Sequence, residues 1–140
     1  MPSIHLKLAQ KPYGFIATDE DGAEVKMDNI STNNINFGVS PMQMLLMALA
    51  GCSSVDVMMI LEKQRQNVNA YEVSINATKE AAGDFSLWTK IDISFKITGN
   101  VDIEKAKRAV QLSIYKYCSV AETLRRAGAV INTEVEVVFL

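Results

Sequence analysis

Ser40-Pro-Met-Gln-Met-Leu-Leu-Met-Ala-Leu-Ala-Gly-Cys52-Ser-Ser-Val-Asp-Val-Met-Met-Ile60 is the most apolar stretch of this chain, and its reading decides the architecture. Ser40 is a natural N-cap. Pro41 fits the first helical position, where a missing N–H costs nothing, and Gln43 stands where a capping box places an acceptor side chain. Val39 and Met44 fall at the two positions of a hydrophobic staple. The predicted helix runs to about Gln66, some 27 residues, and so spans about 40 Å. Its first two thirds are apolar on nearly every face, and such a helix must be buried on nearly every face. One small domain cannot enclose it. The sequence therefore implies a sheet on one side of the helix and a second copy of the chain on the other.

The bulk numbers narrow the class. At 140 residues the chain reads as a single domain over 1–140. It can bury roughly two thirds of its unfolded surface without staples. A net charge of −2 argues against a nucleic-acid partner. Two cysteines are too few for a disulfide scaffold and fit a reducing, cytoplasmic setting. The start, Met1-Pro-Ser-Ile-His-Leu-Lys-Leu8, lacks the basic and apolar pattern of a signal peptide. The apolar run from 44 to 61 is interrupted by Gly51, Ser53, Ser54 and Asp56, so the expectation is a buried soluble helix and no membrane.

Around the helix the chain reads as strands. Residues 3–9 and 13–18 join near Lys11-Pro12, and Asp21-Gly22 turns into 23–27. Residues 28–38, rich in Asn, Ser and Gly, read as a loop. Alternation through Val73, Ile75 and Ala77 predicts a strand over 71–79. Alternation through Ile91, Ile93, Phe95 and Ile97 predicts another over 87–98, joined to the first at Gly83-Asp84 as a long hairpin with one wet face. Ile103, Ala106, Val110, Ile114 and Tyr117 recur at helical steps over 102–117. Ser119 and Glu122 read as a second capping box that opens a short helix, which Gly128 stops. Residues 131–140 alternate again. The order defines an α+β class.

The chemistry rests on Cys52 and Cys118, the two thiols. Cys118 lies just before a helix start, where N–H groups and the dipole favour an anion. That reads either as a mild lowering of its pKa or as a small residue at a tight corner. Cys52 sits mid-helix in apolar surroundings, which by themselves make a thiol inert, and Asp56 one turn later opposes ionisation if it shares a face. Sixty-six positions separate the two, and a disulfide needs Cα atoms within about 7 Å. Five of seven methionines (42, 44, 47, 58, 59) lie on the helix, as core filling or as an adaptable wall for an apolar ligand. His5 reads as surface decoration. The clusters Lys105, Lys107, Arg108 and Arg125, Arg126 read as solvated faces. One histidine and two distant cysteines predict no metal site, and no cofactor motif is present.

The segment Ser40–Cys52 resembles the Asn-Pro-x-x-Leu-Leu-x-Ala-x-Ala-x-Cys helix of the OsmC/Ohr proteins, and Cys118-Ser-Val-Ala-Glu-Thr-Leu124 resembles their second motif, Cys-Pro-Val-x-x-x-Leu. Element order agrees over essentially the whole chain. Gly51-Cys52-Ser53, Val55-Asp56-Val57 and Ile60-Leu-Glu-Lys-Gln-Arg65 look most like the YhfA-type branch. The resemblance implies an OsmC-like fold: an intertwined homodimer with long buried central helices wrapped by antiparallel sheets. It also implies a thiol peroxidase acting on organic hydroperoxides, in which Cys52 attacks and Cys118 resolves, with an external dithiol as reductant.

Two positions depart from the peroxidase pattern. Its glutamate falls at Met42 here, and the arginine that precedes the helix has no counterpart before Arg65. Without a cation an apolar thiol keeps a pKa near or above 8.5, so only a few per cent is thiolate at neutral pH. His5, Lys7, Lys11 or Lys26 of a second subunit are candidate substitutes. The alternative function is non-catalytic binding of a small apolar or acyl ligand at the dimer interface.

Overall fold

The computed structural model describes residues 1–29 and 37–140, so positions 30–36 of the expected loop lie outside the described residues. The chain forms two compact units, Met1–Met47 and Ala48–Leu140.

In the first unit, β1 (His5–Gln10), β2 (Gly14–Thr18) and β3 (Glu24–Met27) form an antiparallel meander in chain order. The turn between β2 and β3 is built by Asp19, whose carboxylate accepts the N–H groups of Asp21 and Ala23, both at 2.9 Å. Gly22 takes a left-handed φ of 90°, which glycine adopts without a Cβ penalty. Val39 returns to this sheet: its N–H donates to the Lys26 carbonyl and its own carbonyl accepts from Asp28, both at 3.0 Å. A Cβ at the adjacent Gly38 would lie 2.3 Å from the Lys26 carbonyl, so the approach requires glycine.

Helix α1 spans Pro41–Lys63, beginning where the cap signal places it. It ends three residues before the expected Gln66. Arg65 adopts φ 58°, and the N–H groups of Gln66 and Arg65 return to the carbonyls of Leu61 and Glu62, both at 2.9 Å. That is a Schellman stop made with arginine where glycine is usual. Within a single chain α1 is not enclosed. Only Leu49, Ser53, Val57 and Leu61 are buried, a stripe at four-residue steps, while Val55, Met58 and Met59 are exposed. By length and composition α1 is apolar enough to cross a bilayer. Its polar side chains are nevertheless taken up inside the chain: Ser53 Oγ donates to the Leu49 carbonyl at 2.7 Å, Ser54 Oγ accepts from Tyr71 at 2.9 Å, and Asp56 accepts from Ser113 at 3.1 Å.

The second unit carries a three-stranded sheet. β4 (Asn67–Ala82) and β5 (Phe85–Asn100) form the hairpin, paired from Asn67↔Asn100 to Ala82↔Phe85 and so longer at both ends than the predicted strands. Ile91, Ile93, Phe95 and Ile97 of β5 are fully buried and form the centre of the core. β6 (Val130–Phe139) pairs with β5 in parallel, from Lys90↔Val130 to Gly99↔Phe139. The expected antiparallel pairing therefore holds for five strands and not for the sixth. A helical connection between β5 and β6 carries the chain back to the end where β5 began, so β6 runs the same way.

That connection is α2 (Ile103–Leu112), a π-helical turn (Ser113–Tyr117) and α3 (Ser119–Arg126). Asp102 caps α2, its carboxylate accepting from the N–H groups of Glu104 and Lys105. Ala106, Ala109 and Val110 supply the buried stripe of α2.

Gly99 joins the two ends of the hairpin. Its φ is +149°, and a Cβ there would lie 2.1 Å from the Asn67 carbonyl oxygen. Gly99→Ala is expected to destabilise the protein by more than about 1 kcal/mol, read as a lower urea midpoint with an unchanged slope.

Candidate functional site

Cys52 lies mid-way along α1 and is partly exposed, whereas Cys118 is buried between the π-helical turn and α3. Cys52 is close enough to Cys118 to act on the ionisation of its thiol. The fold thus brings the two sequence-singled thiols together, both within the unit Ala48–Leu140.

The placement of Cys118 comes from two local departures from ideal helix. The chain does not continue as one α-helix to Tyr117. From Ser113 it widens to a π-turn, and the Cys118 N–H donates to the Ser113 carbonyl at 2.7 Å, five residues back. In an α-helix that N–H would reach Ile114. The Ile114 carbonyl instead accepts from Arg125 Nη1 at 2.7 Å. Cys118, not Ser119, is then the cap of α3: its Sγ accepts the Ala121 N–H at 3.4 Å. Glu122 is released from the expected capping box and grips Arg125 and Arg126, and these guanidinium groups hold its carboxyl below the usual range. Arg125 is therefore not a solvated side chain. It also lies 5.3 Å over the Tyr115 ring.

Of the two readings of Cys118, a lowered pKa and a small residue at a tight corner, the structure favours the second. Burial pushes the thiol up to about 11, and the neighbouring Cys52 pushes the same way. The N–H groups of Ala121 and Val120 pull it down but do not prevail. No cation is among these influences. Desolvation of a sulfur sealed at a helix corner outweighs the capping N–H groups.

Linkage gives this a sign. A thiol whose proton is held more tightly in the folded state contributes stability fully present below the unfolded value near 9, and that stability is lost as pH rises toward 11. Thermal midpoints of the reduced protein are expected to fall between pH 9 and 11. In Cys118→Ala that part of the fall is expected to disappear.

Ser113 and Asp56 complete the surroundings. Ser113 is fully buried, and its hydroxyl donates toward the Ser53 carbonyl at 3.0 Å and the Asp56 carboxylate at 3.1 Å. Ser113 carried a signal that the sequence reading passed over: it is polar, yet it falls on the buried stripe three residues after Val110. Beside the site, Asp56, Met59, Ile60, Lys63, Leu112 and Tyr117 line an open cavity of about 530 Å³. Among the described residues no group of three or more His, Cys, Asp or Glu side chains is arranged to hold a metal ion. His5 sits exposed on β1, and Lys26 lies 5.3 Å over the Phe37 ring.

Two neighbouring thiols, one on a central apolar helix and one capping the last helix of an α+β chain, define the site. The chain belongs to the OsmC-like protein family, whose sequence pattern matches residues 31–134. It is 40% identical to Protein YhfA of Escherichia coli K12 over 115 residues, 81% of this chain and 82% of that one. Its fold is similar to that of a hypothetical protein from Aquifex aeolicus VF5, with TM-score 0.85 and 26% identity over 100% and 98% of the two chains. The fold is also similar to that of the organic hydroperoxide resistance protein OhrB of Bacillus subtilis, with TM-score 0.63 and 13% identity over 98% and 97%.

Proposed function

We propose that residues 1–140 act as one domain of a cytoplasmic homodimer that reduces small apolar organic hydroperoxides through Cys52 and Cys118. The observation that carries the reading is that the fold makes neighbours of two thiols 66 positions apart. Cys118 is buried with its proton held by that burial, and Cys52 is the partly exposed residue of the pair.

The Cys52 thiolate attacks one oxygen of the hydroperoxide. The O–O bond breaks, the alkoxide leaves and takes a proton, and Cys52 becomes a sulfenic acid. The Cys118 sulfur then attacks the Cys52 sulfur. The S–O bond breaks, and hydroxide leaves as water with the Cys118 proton. An external dithiol returns the resulting disulfide to two thiols by two exchanges. Reduced protein mixed with cumene hydroperoxide is expected to lose two free thiols per chain. Unchanged thiols over an hour contradict the reading.

The homodimer is supported by the exposed apolar face of α1, where Val55, Met58 and Met59 are 60, 39 and 51% accessible in the single chain. A second reading draws on the cavity of about 660 Å³ beside them, lined also by Ser54, Val68 and Tyr71: non-catalytic binding of a small apolar or acyl ligand. Native mass spectrometry separates the two. A co-purified ligand of a few hundred daltons with peroxide-inert thiols favours binding, and a bare dimer with reactive thiols favours catalysis.

A further inference from the structure

We propose that Ser113 is a positioning residue for the thiol pair, an inference that rests on the dithiol reading above. It is bonded to the backbone on both sides of the pair. Its hydroxyl reaches the carbonyl of Ser53, the residue next to Cys52, at 3.0 Å. Its own carbonyl holds the N–H of Cys118 at 2.7 Å. One fully buried residue therefore links the helix that carries one sulfur to the residue that carries the other.

Two features make this a device and not an incidental contact. The π-turn is what allows the Ser113 carbonyl to reach Cys118, and its register is held because Arg125 occupies the Ile114 carbonyl that a regular helix would offer. The Ser113 hydroxyl also has a charged acceptor, Asp56 Oδ2 at 3.1 Å, one turn beyond Cys52 on the same helix. Its single proton is shared between two acceptors of α1, so the tether is to the helix and not to one atom. Hydrogen bonds to charged groups are the stronger kind, and they are stronger still when buried. A tether of this kind raises the effective concentration of one thiol at the other.

The quantity it sets is the equilibrium of the protein dithiol with oxidised dithiothreitol. In that exchange the protein's two S–H bonds become one S–S bond, and the dithiothreitol disulfide becomes two thiols. Ser113→Ala removes the hydroxyl, adds no volume, and leaves the carbonyl bond to Cys118. The expected result is a fall of about tenfold in this equilibrium constant, the size of one buried hydrogen bond to a charged group expressed in the pairing of the sulfurs. Asp56→Ala removes one of the two acceptors and is expected to lower the constant several-fold, while Asp56→Asn keeps an acceptor and is expected to stay within about twofold of the parent.

A lowered thermal midpoint with an unchanged constant in Ser113→Ala means a purely structural role and overturns the proposal. If Ser113→Ala does not fold, an unchanged constant in Asp56→Ala overturns it equally. Failure of the underlying reading looks different: the parent protein itself then forms no Cys52–Cys118 disulfide in this couple, and both proposals fall together.

Discussion

Cys52→Ser is expected to reduce the rate of hydroperoxide-driven thiol loss by about 10³-fold or more, the scale of removing a nucleophile from a site whose members act as a unit. Cys118→Ser is expected to behave differently. Its Cys52 still attacks, so one thiol per chain is lost, and the chain stops at a sulfenic acid that dimedone traps. The asymmetry follows from the site. Cys52 is the partly exposed residue of the two. Cys118 is buried, keeps its proton to about pH 11, and has Cys52 as its sulfur neighbour. Iodoacetamide at neutral pH is accordingly expected to label Cys52 first. Equal loss of activity and equal loss of sulfenic acid in the two variants would reverse or erase the assigned roles.

Val55→Asp is expected to convert the proposed homodimer to monomer. Val55 is 60% exposed in the single chain, so a carboxylate there costs the folded monomer little. In a helix-to-helix interface the same carboxylate is desolvated without a partner, a cost of several kcal/mol. Each 1.4 kcal/mol is about tenfold in affinity, so the dissociation constant rises by at least about two orders of magnitude. Sedimentation velocity of parent and variant at matched concentration reads this directly. A parent that sediments as a monomer contradicts the dimer before the variant is needed.

The same face shows where sequence and structure part. The start of α1 was legible because a serine cap, a proline at the first position and a staple pair all point to Pro41. Its end was not, because a left-handed Arg65 gives no glycine signal. The apolar surround of α1 implied burial on all sides, and a single chain buries only the stripe through Leu49, Ser53, Val57 and Leu61. The methionines follow from this. Met47, Met58 and Met59 do not fill the core of one chain.

The β4–β5 hairpin was legible from period-two alternation around Gly83. The direction of β6 was not, since alternation reads the same in a parallel and an antiparallel strand. At the site, the two cysteines stood out by rarity and by the motifs around them, but no local pattern reports a contact across 66 positions. The π-turn was invisible because spacings of three and four tolerate one extra residue per turn. The cap of α3 was misplaced by one residue because a hydroxyl at Ser119 is the commoner acceptor, yet the Cys118 sulfur takes the N–H of Ala121.

The most direct measurement is peptide mapping of the protein after one equivalent of cumene hydroperoxide, with free thiols blocked before digestion. A single cross-linked species is expected, joining the peptide of Cys52 to the peptide of Cys118 within one chain and lighter by two hydrogens than its parts. Full recovery of both cysteines in blocked, unlinked form, or cross-links only between chains, would contradict it.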